Sequence, residues 1–220
     1  MESLESGFRI LSVLENEKSS EQFSYEVYRG DQQLSFLTTE AGEIHVGTGD
    51  SREYSSFGAV EAPWAFDANG SAVKTTYEIS ADGKTLTQYV SPDADATYPI
   101  VADPAWTFWA GQIDCSWGSC TFYLERAKTY WLRDQVNSVG VAAGVAVLTA
   151  SFCGWVAAAF TVAGYAVRLI CVGAMAGLYQ SIKNHLNGTY RCLTFKKYHV
   201  LPAVTIGHVS GSNSRCYYNV

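Results

Sequence analysis

Cysteine is the residue type here whose number and placement point most directly to chemistry. All six (Cys115, Cys120, Cys153, Cys171, Cys192 and Cys216) fall in the second half of the 220-residue chain. An even number in a segment of that size points to a disulfide framework, which persists only in an oxidising compartment. Many pairings are open to six thiols. Their order along the chain favours Cys115–Cys120, Cys153–Cys171 and Cys192–Cys216.

The other reactive residue types form no site. His45, His185, His199 and His208 are scattered, and neither H-E-x-x-H nor a Cys-x-x-Cys pair occurs. His185 and Cys192 come nearest to a base beside a thiol, and they read as a surface histidine and a disulfide cysteine. There is no G-x-S-x-G, and Val209-Ser-Gly-Ser212 reads as a loop. Nothing in the sequence calls for a metal, a cofactor or catalysis. Asn69-Gly-Ser71 and Asn187-Gly-Thr189 fit the glycosylation acceptor pattern and read equally well as turns.

The elements that carry these residues divide the chain. Residues 1–104 hold eighteen acids against six bases, net −12, and residues 105–220 hold three acids against nine bases, net +6. Sign asymmetry of this size suggests two functional units, one able to mask the other. The first half alternates apolar and polar residues over FRILSVL (8–14), FSYEVYR (23–29), LSFLTT (34–39) and EIHVG (43–47), with a turn at Ala41-Gly42. KTTYEIS (74–80) and KTLTQYV (84–90) flank Ala81-Asp82-Gly83, the Asp-Gly signature of a hairpin. These patterns predict a small acidic antiparallel β domain over residues 1–90.

Residues 91–104 (SPDADATYPIVADP) concentrate proline and aspartate and read as a linker, with Tyr98, Pro99, Asp103, Pro104 and Ala105 marking a processing region. Residues 105–220 form the cationic module. CSWGSC (115–120) suggests a second hairpin, and 121–134 takes helical periodicity with Tyr123, Ala127, Tyr130 and Trp131 on one face.

From Gln135 to Val167 no residue is charged. Two helices are expected, roughly 138–152 and 155–182, with a corner at Cys153-Gly154 and a cap at Asn187-Gly188. The run is long enough to cross a bilayer, and Gly140 and Gly144 form a G-x-x-x-G. Val145, Leu148, Phe152, Trp155 and Phe160 are the side chains expected to meet lipid. Abundant Ala and Gly, with Thr149, Ser151 and Thr161, favour instead a buried core stapled by Cys153–Cys171. The basic residues are dispersed, so a surface that faces lipid headgroups or solvent fits better than a nucleic-acid groove. The tail after residue 189 is strand-like and basic. The opening residues, MESLESGFRI, lack the basic and apolar segments of an export leader, whereas the cysteines call for export. The expectation is secretion, with the leader outside the sequence as given.

Two phrases carry a resemblance. One runs from Glu61-Ala-Pro-Trp64 through Asp67-Ala-Asn-Gly70 and Thr76-Tyr77-Glu78 to Thr97-Tyr98-Pro99-Ile-Val-Ala-Asp-Pro104. The other is Cys120-Thr-Phe-Tyr-Leu124, followed by the Ala/Gly-rich helical pair and a C-terminal Cys. Together they resemble secreted actinobacterial proteins in which a β-rich region ends in a YP-x-VADP phrase ahead of a variable C-terminal module. The resemblance covers roughly residues 55–216. It implies export, an actinobacterial source and a separable leader, and brings no catalytic motif.

The fold expected is therefore α+β: a small antiparallel β domain, then a disulfide-stapled helical hairpin with flanking strands. The function expected is a bacteriocin-like or toxin-like secreted effector. Its C-terminal module would act on bacterial membranes or anionic lipid and would be masked by residues 1–104. The competing expectation is a secreted binding or structural protein whose helices are simply core, with Trp106, Trp109 and Trp117 as an exposed patch. The sequence leaves the oligomeric state open.

Overall fold

The computed structural model describes residues 2–4, 7–39, 42–50, 53–160, 164–187, 191–199 and 204–216. In chain order the strands are β1 (Glu2–Leu4), β2 (Gly7–Arg9), β3 (Ser12–Leu14), β4 (Gln22–Tyr25), β5 (Tyr28–Arg29), β6 (Gln32–Gln33), β7 (Ser35–Thr38), β8 (Ile44–Gly49), β9 (Tyr54–Val60), β10 (Trp64–Phe66), β11 (Lys74–Ile79), β12 (Leu86–Ser91), β13 (Ile100–Asp103), β14 (Ala105–Ser116) and β15 (Ser119–Leu124). Helices α1 (Arg126–Ser138), α2 (Val141–Val147), α3 (Cys153–Ala159) and α4 (Gly164–Leu186) follow, with a π-turn at Leu148–Phe152, and then β16 (Arg191–Tyr198) and β17 (Val204–Ser210). The fold is α+β, with antiparallel sheets, four helices among the described residues, and three disulfides.

The chain divides into two compact units, residues 1–51 with 56–108, and residues 52–55 with 109–220. The first unit is built from small antiparallel sheets. β12 lies between β11 and β4, and β13 between β10 and β3. The Asp-Gly hairpin forms as its alternation predicts: Lys74 pairs with Ser91 and Ile79 with Leu86, and Gly83 turns the chain at φ +71°. Burial on β12 alternates with the side-chain period of two, so Leu86, Gln88 and Val90 face inward. Two apolar clusters result. One gathers Phe36, Val46, Leu86 and Trp106; the other gathers Leu14, Val90, Ile100 and Ala102.

Several expected boundaries shift. Residues 8–14 and 23–29 each break into two strands, and the turn expected at Ala41 lies outside the described residues. The larger correction concerns residues 91–104. Residues 92–99 are loop, and Pro104 alone separates β13 from β14. Ile100–Asp103 is the middle strand of β10-β13-β3, with Ile100 and Ala102 fully buried. Asp103 is buried and accepts a hydrogen bond from Arg9 Nε at 3.0 Å. Burial pushes its carboxyl above the usual range, against the pull of Arg9. Pro104 and Ala105 are buried, and Trp106 stacks on Phe8 with ring centroids 4.9 Å apart. Three of the five residues of the expected processing region, Asp103, Pro104 and Ala105, are thus buried. Of its five residues only Pro99 is exposed, with Tyr98 half-buried. The reason is that Ile100 and Val101 favour strand and that burial of Ile100 and Ala102 offsets the flanking prolines. The unit boundary falls inside β14, four residues beyond the expected start of the module at residue 105.

The second unit places the antiparallel order β14-β15-β16-β17 with α1–α4. Gly111 is required where β14 meets β15, because an added Cβ would lie 2.1 Å from the Tyr123 carbonyl oxygen. β15 alternates, with Cys120, Phe122 and Leu124 inward. Helix α1 begins two residues after that strand ends, later than the expected 121–134. It buries Thr129, Leu132 and Val136, spaced at three and four, rather than the aromatic face, and Trp131 points outward. The Thr129 hydroxyl donates to the Glu125 carbonyl at 3.0 Å and accepts from the Leu193 N–H at 3.3 Å, which ties α1 to β16.

Candidate functional site on the helical unit

The uncharged run folds as one continuous helical rod over Val141–Ala159. No corner forms at Cys153-Gly154; the helix passes straight through it, and its end is marked at Phe160, where ψ rises to 3°. The cap expected at Asn187-Gly188 lies partly outside the described residues. Gly144, Leu148, Phe152, Val156 and Ala159 are buried, each three or four residues after the last, so they line one side of the rod. The opposite side stays out: Val141 is 65% exposed, and Ala142, Ala143, Ala146, Ala150 and Ala158 are exposed with it. Helix α4 repeats the pattern. Val167, Cys171, Met175, Tyr179, Ile182 and Leu186 point inward, while Leu169 is 56% exposed and Val172, Gly173 and Gly177 are exposed. A helix on the surface of a soluble protein normally carries charge on its outer side. Between Arg168 and Lys183 α4 carries none, and the rod carries none at all.

The side chains expected to meet lipid are placed differently. Leu148 and Phe152 are 0% exposed, and Val145, Trp155 and Phe160 are half-buried. The rings of Phe152 and Phe160 meet Phe195 of β16 edge-on, with centroids 6.4 and 6.0 Å apart. Trp155 meets Trp131 of α1 at 5.8 Å, and the Lys128 ammonium lies 5.8 Å from the Trp155 ring centroid. The largest apolar groups gain most from leaving water, so the rod turns them toward the sheet and presents Ala and Val outward. The G-x-x-x-G is divided in the same way. A Cβ on Gly144 would lie 2.5 Å from Tyr179 Oη, so this glycine admits Tyr179 of α4, whereas Gly140 faces open space.

The three disulfides join the pairs that chain order favours. Cys115–Cys120 staples directly opposed residues of the β14–β15 hairpin, Cα atoms 4.1 Å apart. Cys153–Cys171 joins α3 to α4 in the core, and Cys192–Cys216 holds the end of the chain to β16. At the hairpin tip Trp117 is 88% exposed, whereas Trp106 and Trp109 are buried, so the expected three-tryptophan patch reduces to one ring. The tip is fixed by the residue that follows β16: the His199 N–H donates to the Gly118 carbonyl at 3.1 Å, and His199 Nε2 lies 3.1 Å from the Ser116 carbonyl.

No base–thiol pair forms, because Cys192 is bonded to Cys216. His185 instead meets His208, a pairing that their 23-residue separation concealed, with Nδ1 atoms 2.8 Å apart. Burial, then Arg191, then His185 push the His208 imidazole below its usual range. His45 is buried beside Glu43 in the first unit, and desolvation lowers its imidazole despite that carboxylate. Ser212 shares a hydrogen bond with Ser210 at 3.0 Å in a surface loop, as its composition suggests. Two of the cations are structural: Arg126 donates to the Gly211 and Cys216 carbonyls, and Arg215 pairs with Asp114. Among the described residues no group of three or more His, Cys, Asp or Glu side chains converges as a metal site. Compared with known proteins, the chain matches no family model, no curated protein and no solved structure.

Proposed function

We propose that the protein is a secreted, bacteriocin-like effector that acts on bacterial membranes through the helices of its second unit, with the acidic first half keeping it soluble. The observation that carries this reading is the rod Val141–Ala159, long and apolar enough to cross a bilayer, with 28% of its most apolar stretch buried. A rod that served only as core would be mostly buried. Further support comes from the +6 charge of residues 105–220, which favours anionic lipid, from the exposed Trp117 and Trp131, and from Trp155 beside the Lys128 ammonium, a composition suited to the membrane–water boundary. Three disulfides suit an oxidising compartment outside the cytoplasm.

Under this reading a single cut does not by itself release the mask. A nick in the exposed loop 92–99 leaves β13 embedded between β10 and β3, so release also requires that sheet to open. The test uses the full chain, intact and nicked by limited proteolysis, with dye-loaded vesicles of anionic and of zwitterionic lipid. Binding and leakage are expected with anionic vesicles, strengthened by nicking, weakened by salt and reduced by Val141→Lys with Leu169→Lys. No binding and no leakage by either form at any lipid composition refutes the reading. The second reading, a secreted binding or structural protein, is favoured by the complete burial of Leu148, Phe152 and Val156. It predicts a chain that ignores lipid altogether.

A further inference from the structure

We propose that His185 and His208 form a two-imidazole site for a divalent transition-metal ion of the zinc or copper(II) class, which clips the end of α4 to β17. The inference does not depend on the membrane reading. It starts from the separation of the two Nδ1 atoms, 2.8 Å, with ring centroids 5.0 Å apart and planes inclined at 48°. Imidazole nitrogens bind such ions at about 2.0–2.1 Å. Two of them on one ion therefore stand about 3.0 Å apart at a right angle and about 3.4 Å at the tetrahedral angle. Widening the pair by a few tenths of an ångström, with each ring turned so that its lone pair aims beside its neighbour rather than at it, makes the two nitrogens adjacent ligands.

Without an ion, one ring must donate its Nδ1–H to the other, a contact that needs one specific tautomer on each side. An ion takes both lone pairs with no such constraint. The rings come from the last turn of α4 and from β17, elements joined otherwise through packing, so a shared ion adds a cross-link where no disulfide reaches. His185 is half-buried and His208 exposed, so water has access. Among the described residues no third His, Cys, Asp or Glu joins them, which leaves the remaining positions to water or an external ligand. Imidazole selects zinc, copper or nickel over magnesium or calcium. The charged side chain acting on His208 is Arg191 of β16, which is half-exposed, so solvent and salt screen its repulsion of the ion.

The test is titration of the full chain, stripped with chelator, with zinc chloride, followed by calorimetry and by the ring C–H resonances of the four histidines. Saturable binding is expected, with the resonances of His185 and His208 moving and those of His45 and His199 unmoved. His185→Gln and His208→Gln should each abolish saturation, while His199→Gln retains it. Calcium chloride should have no effect. Absence of saturable binding overturns the proposal. So does binding that survives in the His185→Gln/His208→Gln chain, or zinc-induced shifts at His45 or His199 instead. Should either variant fail to fold, the resonances of the unaltered chain decide.

Discussion

Phe152→Ala separates a lipid-facing helix from an anchored one. Phe152 is 0% exposed, and its ring packs edge-on against Phe195, which is also fully buried. Truncation removes the buried ring and leaves a cavity between the rod and β16, a change that costs about 3–5 kcal/mol in such sites. Of this, about 0.5–1.5 kcal/mol belongs to the geometry of the ring pair. Taking a urea dependence of about 2 kcal/mol per molar, the unfolding midpoint should fall by roughly 1.5–2.5 M. Among the described residues every helix lies in the second unit, so ellipticity at 222 nm follows that unit. Val141→Ala is the control: Val141 is 65% exposed, and its truncation should shift stability by less than about 0.5 kcal/mol. If Phe152→Ala unfolds within about 0.3 M of the unaltered chain, the rod is not held by that ring in solution. Its assignment as core would then be wrong.

Three further outcomes follow from the same structure. Gly144→Ala and Gly173→Ala should move the 222 nm midpoint in opposite directions. The first meets Tyr179, a conflict of about 1–3 kcal/mol, and the second faces open space and gains up to about 1 kcal/mol of helix propensity. Replacing each disulfide by alanines under non-reducing conditions should rank with the loop it closes. Separations of 24, 18 and 5 residues for Cys192–Cys216, Cys153–Cys171 and Cys115–Cys120 correspond to losses of about 3.4, 3.2 and 2 kcal/mol on the chain-entropy account. His45 takes a proton less readily when folded than when unfolded. The stability it contributes is present above its ordinary range near 6.5 and is lost as pH falls through the lowered folded value. The slope approaches about 1.4 kcal/mol per pH unit for one proton. His45→Gln should flatten the fluorescence-detected loss of stability between pH 7.5 and pH 5.5.

Where a signal is local, the sequence carried it. The Asp82-Gly83 hairpin, the CSWGSC hairpin, the order of the disulfides and the contrast between an acidic β half and an apolar helical half all follow from turn chemistry, alternation and spacing. The hairpins close within a few residues, the disulfides join cysteines adjacent in chain order, and the contrast between halves depends on composition alone.

What the tertiary structure decided is which side of an apolar element faces in. Residues 141–159 carry no charge on any side, so periodicity gives no direction. Only the packing against α1, α4 and Phe195 of β16 turns Leu148 and Phe152 inward and leaves Val141 and Ala146 outside. The same limit explains residues 100–105, where proline argued for a linker and the two neighbouring strands made one element a sheet interior. It explains His185 and His208 as well, since a helix end and a strand far apart in sequence meet only once the sheet is assembled. Composition sets how much apolar surface must leave water; the partners that cover it are fixed by long-range packing.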